Sequence, residues 1–223
     1  FEKFSSSPAI LGTSMKSVGE AMAIGRNFKE SLQKALISLE IGFSGLDRIF
    51  NLSKKEIQKR LTINIPNKIL LIAEAMRKKI KINKIHKLSK IDPWFLEQIK
   101  EIVDAENNIL KKGLPKNFNE FNKIKSIGFS DKKLSQLSGL KEKIVRRKRL
   151  ALNILPVFKK VDTCAAEFAS DTPYHYSTYE LPIRKINSDN IVDSALIQNE
   201  VQGKDQHKVL ILGGGPNRIG QGI

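Results

Sequence analysis

Apolar residues recur at helical spacing through the middle of the chain. Phe28, Leu32, Ala35, Leu36 and Leu39 fall three and four positions apart, and Asn27 with Glu30 has the spacing of a capping box. Gly42 is placed to close that helix. Beyond Pro66, Ile69, Ile72, Ala73, Met76 and Ile80 line one face of a second helix. Asp92-Pro93 joins a cap to a residue whose φ is preset for a first turn, and Phe95, Ile99, Ile102 and Ile109 carry the stripe to Lys111-Lys112-Gly113. Trp94 and Phe95 are adjacent, so they cannot both face one core. Shorter helices are predicted over residues 119–127, 130–137 and 141–150. Helix follows helix without alternating strands, which predicts a mainly α chain built on an all-α domain.

The ends read differently. Residues 5–25 are small and Gly-punctuated, as in strand and loop, and residues 181–207 are polar with Pro182 and Gly203, as in a loop or linker. KVLIL, residues 208–212, reads as a buried strand, and Gly213, Gly214, Gly215 and Pro216 form a tight turn after it. In nucleotide-binding folds such a turn leads into a helix whose free N–H groups hold an anion. Here the chain stops, and GGGPNRIGQG has neither the Lys-Ser/Thr of a P-loop nor the dinucleotide spacing.

No apolar run approaches the roughly 20 residues that cross a bilayer, so no membrane partner is expected. The start, FEKFSSSPAILG, lacks the basic and apolar regions of a signal peptide. A single Cys precludes an internal disulfide, and a cytoplasmic setting is expected.

Charge changes the picture more. The net charge is +16, and residues 51–160 carry 28 basic side chains against 10 acidic, a local +18. A cluster of this kind is either a solvated helical face or a footprint for nucleic acid. Residues 128–150 offer the second reading its best case, a helix-turn-helix ending in Arg146, Arg147, Lys148 and Arg149. Four adjacent cations point all round a helix and lack the Asn, Gln, Ser or Thr that read base edges. The solvated face is the favoured reading, and nucleic acid is not an expected partner.

Candidate chemistry is sparse. His86, His175 and His207 have no His or Cys at ligand spacing, so no metal is expected. Cys164 has His175 eleven positions on, but Ala165, Ala166 and Phe168 beside it predict a buried packing cysteine. Asp162, Glu167 and Asp171 are candidate carboxylates, and Asp162 reads best as a helix cap.

Three stretches in one order carry a family resemblance: TSMKSVGEAMAIGR at 13–26, FKKVDTCAAEFASDTPYHYSTYE at 158–180 and KVLILGGGPNRIGQGI at 208–223. Together they resemble the large, synthetase part of carbamoyl-phosphate synthase. VDTCAAEF and GGGPNRIGQG are its most specific motifs, while IDPWFLEQIKEIV and GFSDKKLSQLSG fit more loosely. The resemblance implies that residues 1–26 end a first ATP-grasp unit and that residues 27–180 form a helical oligomerisation domain. Residues 181–207 would then be a linker, and residues 208–223 the first strand of a Rossmann-like pre-ATP-grasp domain. The chain would be the join between two halves, a piece cut after the second half begins.

The family reaction, as the resemblance implies it, makes carbamoyl phosphate for pyrimidine or arginine synthesis from bicarbonate, glutamine-derived ammonia and two ATP with Mg²⁺. The ATP and Mg²⁺ sites belong to segments outside these residues, so no catalytic, cofactor or metal residue is assigned and catalysis by this piece alone is not expected. The implied partners are the rest of the synthetase chain, a glutaminase subunit or domain, and further copies in a homo-oligomer. The family passes carbamate through an interior tunnel, and Gly213, Gly214, Gly215, Gly220, Gly222 and Glu20 are its candidate lining residues. Residues 51–66 and 181–207 are longer than the family pattern, and PYHYS departs from it.

Overall fold

The computed structural model describes residues 6–17, 19–180, 184–186, 192–194, 199–201, 207 and 209–213. Among them, eight helices precede four short strands: α1 Phe28–Ser38, α2 Lys54–Leu61, α3 Lys68–Arg77, α4 Ile82–Ser89, α5 Pro93–Lys112, α6 Phe118–Ser126, α7 Asp131–Ser138, α8 Glu142–Ala151, β1 Val157–Lys160, β2 His175–Thr178, β3 Arg184–Ile186 and β4 Val192–Ser194.

The 20-residue helix α5 is the hub, packing against α1, α3, α4 and α7. Its inward stripe is Leu96, Ile99, Ile102, Val103 and Ile109. These meet Leu70, Leu71, Ile72, Ala73 and Ala75 of α3, with Ile57 and Leu61 of α2 and Ile85 of α4. α3 is buried almost all round, as expected of a helix enclosed by neighbours. Phe121, Phe129, Leu134 and Val145 extend the same core through α6, α7 and α8.

The mainly α expectation holds, with corrections in detail. α1 ends at Ser38 rather than near Gly42, because Glu40 turns left-handed at φ 53°. The second helix stops at Arg77: Lys79 is left-handed, and Ile80 bonds back to Ala75 O at 3.0 Å from outside the helix. Helices α2 and α4 went unread. The first carried its own signal, a complete capping box of Ser53 and Glu56. Ile99, Ile102 and Ile109 join the core stripe as expected, but Phe95 does not, and Leu96 takes its place.

The all-α expectation for residues 27–180 also misses a closing hairpin. β1 and β2 pair antiparallel from Val157 opposite Thr178 to Lys160 opposite His175. Between them no helix follows Asp162, because Ala165 and Ala166 both take positive φ. Asp162 caps a turn instead, accepting from Cys164 N at 2.9 Å and Ala166 N at 2.7 Å. Cys164 is half-buried, and Ala165, Ala166 and Phe168 are exposed, so the packing-cysteine expectation fails.

Within the expected linker, β3 and β4 form a second antiparallel pair. The expected strand at 208–212 is not formed where the structure describes it: residues 209–212 lack regular structure and their apolar side chains are exposed. A strand needs neighbours to take its N–H and C=O groups, and the described residues supply none there.

Phe121 is fully buried, whereas Leu110 on α5 is half exposed. Phe121→Ala is expected to cost about 3–5 kcal/mol by urea denaturation, and Leu110→Ala no more than about 0.5 kcal/mol. Equal costs would contradict the core described above.

Candidate functional site

Where the chain enters and leaves the helical domain, its polar groups converge. Asn27 caps α1, accepting from Glu30 N at 3.0 Å while its amide donates to Ser126 O at 3.0 Å. Glu30 does not complete the expected capping box. Its Oε2 accepts from Arg26 N at 2.7 Å, one residue earlier, and from Thr178 Oγ1 of β2 at 3.0 Å. Its Oε1 lies 2.7 Å from Lys34 Nζ. Gly25 leaves room for this, since a Cβ there would stand 2.8 Å from the carboxylate.

Lys34 also donates to Ile24 O at 3.0 Å and to Ser177 O, so one ammonium ties the incoming flank to β2. Outside this core runs a line of alternating charge. Arg26 meets Glu180 at 3.4 Å, Glu180 meets Lys159 at 3.1 Å, and Lys159 meets Glu200 at 3.3 Å. Glu200 bonds the backbone of β1 as well, through Lys160 N at 2.7 Å and Phe158 O at 2.9 Å. The bond from Lys160 N, helped by Lys159 and opposed by slight burial, holds the Glu200 carboxyl below the usual range. The entering and leaving segments are thus bonded to each other and to α1.

Two ion networks stiffen the body behind this junction. Arg77 of α3 forks onto Glu106 of α5 at 2.9 and 3.0 Å and also donates to Leu46 O. Lys133 of α7 bridges Glu106 at 3.1 Å and Asp47 at 2.8 Å. Burial pushes the Asp47 carboxyl up, but the bonds from Lys133 and Ser44 outweigh it and leave its pKa below the usual range.

In the second network Lys125, 4% exposed, reaches Asp131 at 2.8 Å and Phe129 O at 2.6 Å. Arg149 reaches Asp131 at 3.0 Å and donates to Ile154 O at 2.7 Å, and both cations lie against the Tyr179 ring. Burial raises Asp131, yet Lys125 and Arg149 more than reverse it; burial lowers Lys125 despite the attraction of Asp131.

Residues 20–153 match the profile of the carbamoyl-phosphate synthetase large chain, oligomerisation domain. The chain belongs to the carbamoyl-phosphate synthetase large-chain family. It is 47% identical over 229 residues to the carbamoyl phosphate synthase large chain of Brucella melitensis, covering all of this chain and 19% of that protein. It is 48% identical over 230 residues to that of Rhizobium meliloti, again 100% and 19%. The arginine-specific, chloroplastic large chain of Arabidopsis thaliana is 45% identical over 228 residues, 100% of this chain and 18% of that one. The chain thus spans about a fifth of the length of the curated relatives it matches.

In this carbamoyl-phosphate synthetase family chain, the candidate tunnel residues fall at the margins. Glu20 is exposed on the incoming flank, and Gly213 is exposed with open space where a Cβ would stand. Gly214, Gly215, Gly220 and Gly222 lie outside the described residues. Cys164 and His175 are differently engaged: His175 Nδ1 lies 2.9 Å from Pro173 O, and the Cys164 sulfur 3.8 Å from Thr163 Oγ1. No described helix is long and apolar enough to cross a membrane.

The helix-turn-helix candidate does form two packed helices, α7 and α8. Arg149 is buried in its ion pairs, and Arg146, Arg147 and Lys148 remain exposed. The solvated-face reading of the cations needs the same correction, since Lys125, Lys133 and Arg149 are interior. The signal was positional: Lys125 follows Phe121 by four residues and Arg149 follows Val145 by four, which puts each on a buried face.

Asp47 and Asp131 both titrate below the ordinary Asp value of about 3.9. Between folded and unfolded pKa the folded chain binds fewer protons, so their stabilisation is present above about pH 4 and is lost as pH falls through the folded values. Asp131→Asn is expected to lower the urea midpoint at pH 7, with the gap to the parent protein closing toward pH 2. A pH-independent gap would show that the charge of Asp131 does not carry its contribution.

Proposed function

We propose that this chain is the central connecting and oligomerisation segment of a carbamoyl-phosphate synthase large chain. It joins a half that phosphorylates bicarbonate to a half that phosphorylates carbamate, and it is not catalytic by itself. The carrying observation is the junction: Arg26 on the incoming flank and Glu180 and Glu200 on the outgoing side share one line of ion pairs. A domain whose entry and exit are bonded together fixes the relative placement of whatever precedes and follows it.

On this reading the exposed apolar residues 209–212 are the opening strand of the second half, and Met15 and Met22, also exposed, belong to the end of the first. ATP and Mg²⁺ are held by the flanking halves, and ammonia comes from a glutaminase subunit or domain. Glu20 and glycines 213, 214, 215, 220 and 222 border the passage for carbamate, where side-chain-free backbone leaves space. The working compartment is the cytoplasm, the product serves arginine or pyrimidine synthesis, and the large chain assembles into a homo-oligomer. The matches to large-chain relatives over the full length of this chain support the reading.

In the complete large chain, Arg26→Ala with Glu180→Ala is expected to spare the ATP-dependent partial reaction of each half and to lower carbamoyl phosphate formation severalfold. A proportional loss of both partial reactions would mean that the pair serves folding only. By calorimetry, the present chain alone is expected to bind MgATP no tighter than about 100 μM, or about −5.5 kcal/mol. Tighter binding would place a nucleotide site within it. Gel shifts with duplex DNA should show only weak, salt-sensitive retardation; sequence-selective binding at physiological salt would favour the helix-turn-helix function.

A further inference from the structure

Three aromatic side chains meet on the surface beside the junction. Phe28, in the first turn of α1, packs edge-on against Trp94 at 5.5 Å and Phe95 at 5.2 Å between ring centroids. Trp94 and Phe95, in the first turn of α5, meet each other at 5.0 Å. Trp94 is 51% exposed and Phe95 42% exposed. A groove of about 940 Å³ between α5 and α6 has Lys29, the chain neighbour of Phe28, and Glu101 in its lining, with Ile109, Ile124 and Ile127. Large exposed aromatics grouped in one patch mark a surface that another protein surface covers.

The charge around the patch narrows the occupant. Lys29 pairs with Glu101 at 2.5 Å, and Lys100 pairs with Asp104, so these two cations are already engaged. A polyanion finds no unpaired cation at Lys29 or Lys100, although further along the groove Lys112, Lys116 and Lys123 stand against Glu120. A second copy would bring its own +18 over residues 51–160 toward the first, so at low salt it would seat here less readily than a body already attached. Position points to the remaining candidate. Phe28 stands two residues after Arg26, where the incoming flank reaches the domain, and that flank exposes Met15 and Met22. A body attached a few residues away is present at high effective concentration and needs no charge steering.

We propose that the patch of Phe28, Trp94 and Phe95, with its groove, is the seat on which the preceding part of the same large chain docks. This rests on the reading that the segment lies inside a longer large chain. It adds a contact beyond the covalent connection: the first half is held rigidly against α1 and α5, and copy-to-copy contacts use other faces.

The test is hydroxyl-radical footprinting with mass spectrometry, comparing the present chain with the complete large chain at several protein concentrations. Modification of Trp94, Phe95 and Phe28 is expected to fall severalfold in the complete chain at every concentration, and to stay high in the present chain. Protection of the present chain that grows with its concentration would identify a second copy as the occupant and overturn the proposal. Equal modification in both proteins would also overturn it. Carbamoyl phosphate formation by the same complete chain reports separately on the large-chain reading, so that reading can stand when the docking proposal fails.

Discussion

Glu30 sits in the first turn of α1 with both carboxylate oxygens in use, and the segments it holds come from opposite ends of the domain. It takes the Arg26 amide of the incoming flank, the Thr178 hydroxyl at the end of the closing hairpin, and the Lys34 ammonium one turn on. It is 1% exposed. A carboxylate removed from water costs several kcal/mol unless its partners are in place. The flank, the helix and the hairpin must therefore be assembled together for any of them to be stable there. The glycines around it follow from this demand. Gly25 faces the carboxylate, and Gly128 lies so close to α1 that a Cβ would meet Glu30 Cα at 2.9 Å.

The rest of the domain serves that assembly by two kinds of contact. Aliphatic packing of α2, α3, α4 and α5 supplies cohesion without direction. The buried ion networks supply direction. Arg77, Glu106, Lys133 and Asp47 fix the loop after α1 against α3, α5 and α7. Lys125, Asp131 and Arg149 fix α6, α7 and α8 beneath Tyr179, one residue from Glu180 of the junction. The domain behind the connection is thus set in orientation by paired charges, which suits a part whose proposed task is to hold two larger bodies in place.

Much was determined by the sequence alone. Caps and periodicity placed six of the helices described, with Asn27 and Asp92 capping as read, because these are local bonds within one turn. The motifs placed the chain in its family for the same reason, being contiguous strings. Helices α2 and α4 were missed: the first had a legible cap but a weakly apolar sequence, and the second is short.

Tertiary structure alone decided which charges are inside. Lys125, Lys133 and Arg149 are indistinguishable in composition from their solvated neighbours, and only the approach of Asp131, Asp47 and Glu106 makes their burial tolerable. It also decided the closing hairpin, whose strands are 14 residues apart with little alternation to announce them. Glu30 shows the division most directly. Its spacing from Asn27 announced a cap, a matter of three residues. Its bond to Thr178, 148 residues away, exists only because the folded chain brings both ends of the domain to one place.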